Sequence, residues 1–379
     1  MRKIAALLIP HALLVASCAE LATKQEAPRH PNVSVEYAAT ADPEASRDES
    51  LIASLRALQR FHGVTPSAPY RVAAATGTAR LLAAHPRACP AEWTRGGRAL
   101  GLSLAGNRLG LELTVLEQNP MFDDPNAAAL DSLKQRRDRF SEHHHEPVLA
   151  ELDAGRPVLA SSGWSRGGVV NWGLVTRYAG ESDTLYGHPS GGADEASLDF
   201  PPEVVVLVKP TGGAPVADDV VLLRHAFETA ARIAATSPVP EVGAEPDWKY
   251  GLGALDIWRS RLAILPFCRF CGTGSWQCQQ HAAGALTRSL GRMQELLEAA
   301  RPGLPPESAP LVESLSTSYS AAREALAPSL EDSIEAKFQD QPGQREVAFG
   351  LTQLRKALEQ AQGIERQLLA KLGATSTEP

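Results

Sequence analysis

The sequence predicts an α+β fold in which a mixed half is followed by an all-α helical region. Up to Pro210, apolar stripes at helical spacing are interspersed with short runs of strand character. From residue 213 onward every apolar stripe recurs at intervals of three and four residues, the period of a helix. The chain is long enough for one large domain or two modest ones. We therefore expect an α+β domain over residues 48–212 and a helical domain over residues 213–373.

The N-terminal residues 1–17 have the pattern of a secretory signal peptide. Arg2 and Lys3 precede an apolar run that is too short to span a bilayer as a permanent helix. The small residues of the motif VASC come next and end at Cys18, where a bacterial lipoprotein signal peptidase leaves a lipidated cysteine. The alternative is an ordinary secretion signal with a chance cysteine. We expect an exported lipoprotein of the cell envelope, anchored in a membrane through palmitate or a similar lipid on Cys18.

The residues after Cys18 predict the destination of the anchor and the nature of the adjoining segment. In diderm bacteria an Asp in the next position retains a lipoprotein at the inner membrane. Here the residue is Ala19, so delivery to the periplasmic face of the outer membrane is expected if the organism is diderm. Residues 18–47 are poor in large apolar side chains, which predicts a disordered tether because ordering it would bury little surface.

Composition and charge restrict the classes of partner. Of the 379 residues, 44% are hydrophobic and 21% are charged, which is ordinary for a globular protein. The formal net charge is -7 with the two signs interspersed, whereas binding to nucleic acid requires a concentrated basic face. We therefore expect no nucleic-acid partner.

The α+β half begins with a helix that starts near Ser50 and ends at Gly63, with apolar residues at helical spacing. Further helices are predicted in YRVAAATGTARLLAAH, AALDSLKQRRDRF and EPVLAELDAG. Strands are predicted in GLELTVLE, PVLASS, VVNWGLVTRY, TLYGH and EVVVLVKP, between Gly, Ser and Asp clusters typical of turns. The helical half contains apolar stripes in DDVVLLRHAFETAARIAA, YGLGALDIWRSRLA, QHAAGALTRSLGRMQELLEAA and APLVESLSTSYSAAREALAP, and in a last one that ends at Gly373.

The order of these segments resembles that of a papain-like fold. The run LDAGRPVLA precedes NWGLVTRYAGESDTLYGHP, and HAFETAARIA, YGLGALDIWRSRL and a long Ala- and Arg-containing helix come after it. This order is similar to that of the bacteriocin-processing cysteine peptidases. Within that superfamily it most resembles the proteins related to butirosin biosynthesis protein H, an acyltransferase. The resemblance covers Ser50 to Leu330 and implies a papain-like domain followed by a helical region.

The resemblance implies three catalytic positions, and all three are substituted here. The family's cysteine opens the first helix, where this chain has Ser50. Its general-base histidine begins a strand at the position of Asn171, and its orienting aspartate precedes a Pro at the position of His188. Asn171 cannot accept a proton from a nucleophile. A serine at a helix start is typical of an N-cap, so we expect the cysteine chemistry to be absent and Ser50 to cap the helix.

A binding function in the same cleft survives these substitutions, because the cleft depends on the fold. We expect a binding or scaffolding module for a small molecule or a peptide. The alternative is an acyltransferase or amide hydrolase in which Ser50 or Cys89 is the nucleophile and His188 or His85 the base. The candidate lining residues of the cleft are Trp164, Trp172 and Tyr178.

The segment PFCRFCGTGSWQCQQH contains Cys268, Cys271, Cys278 and His281, two pairs that each have two residues between their members. With Cys89, the mature chain has four cysteines besides the lipidated one, which in an oxidising compartment predicts two disulfides of unassigned pairing. A Cys3His zinc site has compatible ligand types and remains an alternative. A redox-active Cys268 and Cys271 pair is a third. Apart from zinc, no cofactor is predicted.

Overall fold

The computed structural model describes residues 31–38, 49–80, 83–84, 98–116, 137–138, 140–161, 163–165, 172–199, 201–202, 204–235, 249–262, 275–331, 334–339 and 341–374. In these ranges no helix has both the length and the apolar character needed to cross a bilayer. Outside them lie the predicted signal peptide, most of the predicted helix AALDSLKQRRDRF, and the candidate residues Cys18, His85, Cys89, Asn171, Cys268 and Cys271.

An antiparallel sheet of seven strands lies in the described part of the N-terminal half. The described residues contain nine strands in two sheets. In chain order they are β1 (Val33–Ser34), β2 (Ala83–Ala84), β3 (Leu111–Val115), β4 (Val158–Ser161), β5 (Trp172–Ala179), β6 (Thr184–Pro189), β7 (Ala196–Ser197), β8 (Val204–Pro210) and β9 (Lys249–Tyr250). The order in the large sheet is β3-β8-β4-β5-β6-β7, and β1 pairs with β5. Strands β2 and β9 form a separate two-stranded sheet.

Most of the described helices match the predicted stripes, and those over Arg98–Ala105 and Ile334–Gln339 were not predicted. In the N-terminal half they are α1 (Ser50–Phe61), α2 (Pro69–Ala75), α3 (Arg98–Ala105) and α4 (His145–Asp153). In the C-terminal half they are α5 (Asp219–Ala235), α6 (Leu252–Arg261), α7 (Ser275–Ala300), α8 (Ala309–Ala325), α9 (Ile334–Gln339) and α10 (Gln341–Ala374). Mixed α and β structure with a C-terminal helical region is therefore confirmed.

The two faces of the sheet bury different cores, because successive strand side chains alternate between faces. Trp172 and Leu174 of β5 belong to the larger core, which also contains Leu55 of α1. Val175 of β5 belongs to a smaller core that contains Leu149 of α4. Helices α1 and α4 therefore lie on opposite faces of the sheet.

The larger core is continuous across the two predicted domains. It contains Leu58 of α1, Leu290 of α7 and Leu354 of α10, each completely buried. An ion pair on the same side of the molecule joins Arg71 of α2 to Asp219 of α5 through two hydrogen bonds of 2.8 and 2.9 Å. The helical region consequently packs on the face of the sheet that carries α1, and not as a separate body.

The predicted second helix is shorter than its apolar stripe. It ends at Ala75, and a single 3-10 turn comes next over Thr78–Arg80. Gly77, between the two, has a φ of 67°, a left-handed conformation that a continuous α-helix does not contain. The prediction of one helix through this segment was therefore wrong, because the left-handed conformation of Gly77 interrupts the helix.

Part of the predicted disordered tether is ordered, which corrects the expectation for residues 18–47 where the structure describes them. Val33 pairs with Tyr178 of β5, and the N–H of Val35 donates to Thr176 O at 2.8 Å. Val35 is buried and Tyr37 is half-buried. The prediction used the average composition of the segment, which does not detect three alternating apolar residues. Such an alternation is enough for a short strand where a neighbouring strand is available for pairing.

We predict that Gly187→Ala is severely destabilising, because a Cβ on Gly187 would be 1.9 Å from the carbonyl oxygen of Leu174 on the neighbouring strand. The loss should be at least about 3 kcal/mol in urea unfolding followed by tryptophan fluorescence. The matched control is Gly363→Ala in α10, where a Cβ meets no atom within 4 Å. This control should gain roughly 0.5–1 kcal/mol from helix propensity. Equal tolerance of the two substitutions would contradict the strand pairing.

Candidate functional site

The start of α1 is joined to the start of β5 by a hydrogen bond across 122 residues of sequence. The backbone N–H of Trp172 donates to Ser50 Oγ at 3.1 Å, and Ser50 is only 4% exposed. Ser50 therefore lies beside the residue that comes directly after Asn171.

Ser50 does not cap α1, so the N-cap prediction was wrong. Ser50 is the first residue of the helix, and the N-cap residue is Glu49, which makes no side-chain hydrogen bond to the helix backbone. The hydroxyl of Ser50 is directed to the sheet, where it accepts the N–H of Trp172. The donor to Ser50 Oγ is therefore a backbone N–H of β5, whereas the prediction expected a backbone N–H of α1.

Glu49 is fixed by a helix of the C-terminal half. The guanidinium of Arg292 in α7 donates to both carboxylate oxygens of Glu49, at 3.0 and 2.8 Å, and also to Glu295 at 2.9 Å. These bonds, above all the one to Glu49, raise the pKa of Arg292. The side chain of Glu49 is 9% exposed and that of Arg292 is 18% exposed, so the pair is largely removed from water. The helical region thereby holds the first turn of α1.

His188, the third position, lies on the same face of the sheet as Trp172. In the β5–β6 pairing it is directly opposite Leu174, and directly opposed residues share a face. Its Nδ1 atom is buried and has no hydrogen-bond partner among the residues that the structure describes. Its ring centroid is 4.9 Å from that of Tyr37. His188 thus faces the α1 side and contacts a tyrosine from the N-terminal segment.

The turn after β6 packs against α1. It closes the region around Ser50, Trp172 and His188, which we name the corner. The N–H of Ser190 donates to the carbonyl of Trp172 at 2.7 Å. Gly191 has a φ of 65°, and a Cβ there would be 2.7 Å from the Cβ of Ala57 in α1. Only glycine combines this backbone conformation with so close an approach. The turn is consequently packed directly on the helix that begins at Ser50.

Tyr37 completes the corner and was not among the residues singled out from the sequence. Its hydroxyl donates to Gly191 O at 2.9 Å. Burial raises the pKa of Tyr37 to about 12, so the hydroxyl remains a donor at neutral pH. The signal available in the sequence was the alternation of Val33, Val35 and Tyr37 in an otherwise polar segment.

An ion pair of two charged side chains, Arg177 and Glu195, lies beside His188 at the edge of the corner. We name this pair the rim. Arg177 of β5 donates to both carboxylate oxygens of Glu195, at 3.1 and 2.8 Å. Its guanidinium carbon is 3.8 Å from the ring centroid of Tyr186, which is two residues before His188 on β6. The hydrogen bonds from Arg177, with a smaller contribution from His188, lower the pKa of Glu195. The rim is thus an ion pair stacked on an aromatic ring.

Of the three predicted lining residues, Trp172 lies beside α1, and the other two lie on the opposite face of the sheet. Trp164 packs against Gly173, where a Cβ would be 2.6 Å from Cζ2 of the indole. Tyr178 belongs to the smaller core, and its hydroxyl donates to Asp183 at 2.9 Å. Trp172 and Tyr178 are an even number of residues apart and would share a face in a regular strand, but the register of β5 shifts between Val175 and Arg177 and places Tyr178 on the opposite face.

The cysteine segment is described only in its last part. Cys278 is buried in the first turn of α7, and His281 is exposed one turn later on the same helix. Among the described residues no group of three or more His, Cys, Asp and Glu side chains is arranged to hold a metal ion. The disulfide, zinc and redox predictions all depend on cysteines outside the described ranges, and they stay predictions.

No protein-family model matches this chain, and no curated protein matches its sequence. The function is therefore inferred from the geometry at the start of α1. That geometry consists of a buried serine hydroxyl that accepts a backbone N–H, an imidazole that faces a tyrosine, and an ion-paired rim.

We predict that Ser50→Ala and Ser54→Ala have different effects although both residues are buried in α1. Ser50→Ala leaves the N–H of Trp172 buried without an acceptor and should cost about 1–2 kcal/mol of stability. Ser54 Oγ has no partner among the described residues, so Ser54→Ala should be neutral or slightly stabilising. Urea unfolding of the two variants checks this. A larger loss of stability for Ser54→Ala than for Ser50→Ala would contradict the hydrogen bond between the N–H of Trp172 and Ser50 Oγ.

A double-mutant cycle tests whether the helical region holds the start of α1. Removing Glu49 and Arg292 singly and together should give a coupling energy of roughly 1–3 kcal/mol, because the pair is largely buried. The control pair Arg224 and Glu228 has the same 2.8 Å contact but is 40% and 48% exposed. Its coupling should stay under about 0.5 kcal/mol. The same small coupling for both pairs would contradict the account.

Proposed function

We propose that the chain is a lipid-anchored protein of the cell envelope whose papain-like domain lacks peptidase chemistry and acts as a binding or scaffolding module. One observation carries this proposal. The hydroxyl at the nucleophile position, Ser50, is buried and accepts the backbone N–H of Trp172. A side chain used in this way stabilises the fold.

The papain-like assignment is supported by where two of the three substituted positions, Ser50 and His188, lie. Ser50 begins the helix that packs on the sheet, and its hydroxyl meets the residue after Asn171. His188 is on the next strand, opposite Leu174 and on the same face. A helix N-terminus that meets the first and second strands of an antiparallel hairpin is the arrangement that the resemblance implies for a cysteine, a histidine and an aspartate.

Among the described residues, Ser50 makes no hydrogen bond to a side chain that could act as its base. Activation of a serine hydroxyl requires a neighbouring group that accepts its proton, and the amide of Asn171 is not such a group. His188, the other candidate, has its buried Nδ1 without a described partner and its ring against Tyr37. Ser50 is therefore an unactivated hydroxyl in the proposed domain.

Binding is favoured because the same corner keeps polar and aromatic groups that a ligand can contact. Next to His188 are Tyr37 and, along the rim, the ion pair of Arg177 and Glu195. The proposed ligand is a peptide or a small molecule. Attachment to the membrane through Cys18 would keep this site at the surface of the envelope, within reach of partners fixed to the same membrane.

Restoring the family's residues tests the papain-like register directly. In Ser50→Cys with Asn171→His and His188→Asp, the imidazole should stabilise a thiolate at position 50 and lower the pKa of the thiol by about one unit or more. We expect at least about tenfold faster alkylation by iodoacetamide at pH 6 than in Ser50→Cys alone. Mass spectrometry of the tryptic peptide Asp48–Arg56 separates this position from the native cysteines.

The matched control moves the thiol by one turn of α1. Ser54→Cys combined with Asn171→His and His188→Asp should show no acceleration over Ser54→Cys alone. If Cys at position 50 has the same pH profile with and without the two restored residues, position 171 does not face the start of α1. The papain-like assignment would then be abandoned.

A further inference from the structure

The N-terminal segment Asn32–Tyr37, which we name the strap, occupies part of β5 that β4 leaves unpaired. Strand β4 pairs with β5 only as far as Val175. Beyond that point the strap takes over, with Val33 opposite Tyr178. The side-chain oxygen of Asn32 also accepts the N–H of Gly180 at 2.8 Å. The strap thus continues the sheet edge as a short added strand.

The strap is held by a short alternating motif. Val33, Val35 and Tyr37 are the only large apolar or aromatic residues between positions 22 and 49 of the sequence. Val35 is buried, Val33 and Tyr37 are half-buried, and the intervening Ser34 and Glu36 are exposed. Val33 and Val35 pack on the smaller core and Tyr37 packs on the larger one. Side chains anchored in this way, with a few backbone hydrogen bonds, are the contacts by which extended peptides add to a sheet.

The surface under the strap contains polar atoms that the strap does not satisfy. Tyr37 uses its hydroxyl on Gly191 O, and its ring lies against His188. Neither His188 Nδ1 nor Ser54 Oγ has a hydrogen-bond partner among the described residues, although both atoms are buried and Ser54 is 0% exposed. Gly191 lies against both sides of this corner, with its Cβ position 3.5 Å from Cα of Ser54. A polar side chain in place of Tyr37 would gain hydrogen bonds that the strap leaves unmade.

We infer that the surface under Asn32–Tyr37 is a binding site for an extended peptide of a partner protein, and that the strap is its resident competitor. This inference deepens the proposed binding function and rests on it. The partner peptide carries apolar side chains at the positions of Val33 and Val35. At the position of Tyr37 it carries a side chain with a hydrogen-bonding group. It binds by adding a strand to β5 after the strap leaves.

Competition by the strap sets the apparent affinity of the site. A peptide binds only to molecules whose strap has detached, so its apparent dissociation constant is the intrinsic constant divided by the detached fraction. Any change that weakens the strap without altering β5 or β6 should therefore tighten binding of an added peptide. The same change would leave a peptide that bound elsewhere unaffected.

The test uses a fluorescein-labelled peptide with the sequence PNVSVEYA, which is that of residues 31–38, and the full mature chain. Fluorescence anisotropy should show at least tenfold tighter binding to Tyr37→Ala than to the wild-type chain. Glu36→Ala is the matched control, because Glu36 is exposed on the same strap, and it should bind as the wild type does. Equal affinity for wild type and Tyr37→Ala, or no binding to either, would overturn the inference.

Three further measurements keep the outcome decisive. Should Tyr37→Ala fail to fold, Tyr37→Phe keeps the ring and removes only the bond to Gly191, and a smaller gain in affinity is then expected. In the wild-type chain, the amides of the strap should exchange hydrogen at least a hundredfold faster than those of Trp172–Val175. Equal exchange rates would show that the strap is an integral strand. A wild-type dimer that the peptide dissociates would assign the site to a second copy of the chain and overturn the assignment to a partner.

Failure of this inference and failure of the proposed function give different results. A rigid strap would remove the peptide site and leave the unactivated Ser50 unchanged. A reactive Ser50 would remove the proposed function, while fast exchange of the strap would still mark a displaceable segment.

Discussion

The hydrogen bond from the N–H of Trp172 to Ser50 Oγ is the contact on which the arrangement of the site depends. Because this hydrogen bond is buried, water does not compete for its donor and acceptor. It joins two elements that are far apart in sequence. Through it the first turn of α1 meets the first residue of β5. The pairing of β5 with β6 then brings His188 to the same face.

Two other segments converge on the same helix, and each fixes a different part of it. Arg292 from the helical region holds Glu49, just before the first turn. Tyr37 from the N-terminal segment binds Gly191, whose turn rests on Ala57 further along α1. The site is consequently assembled from both ends of the chain, and its residues are positioned by neighbours rather than by local sequence. A continuous core through both halves supports the helix on which these segments converge.

Periodicity predicted many elements of the fold, because the alternation of β3 and the apolar stripes of α5 to α8 and α10 reflect burial that is local to each element. It failed where the decisive partner is distant. Ser50 has the sequence context of an N-cap, but its acceptor role depends on a strand 122 residues away. The strap was missed because three apolar residues disappear in the average composition of a polar segment. The separation of Tyr178 from Trp172 depends on the register shift between Val175 and Arg177 of β5, which reverses the alternation of faces and has no signal in the apolar pattern.

The central claim, that Ser50 is a structural hydroxyl, is tested most directly by labelling the native mature chain with a fluorophosphonate and, in parallel, with iodoacetamide. Peptide mass spectrometry should find no adduct on the peptide Asp48–Arg56, because an unactivated, buried serine does not react. A stoichiometric fluorophosphonate adduct on Ser50, absent from Ser50→Ala, would contradict the claim. An iodoacetamide adduct on Cys89 together with turnover of an acyl substrate would instead favour the alternative of a relocated nucleophile.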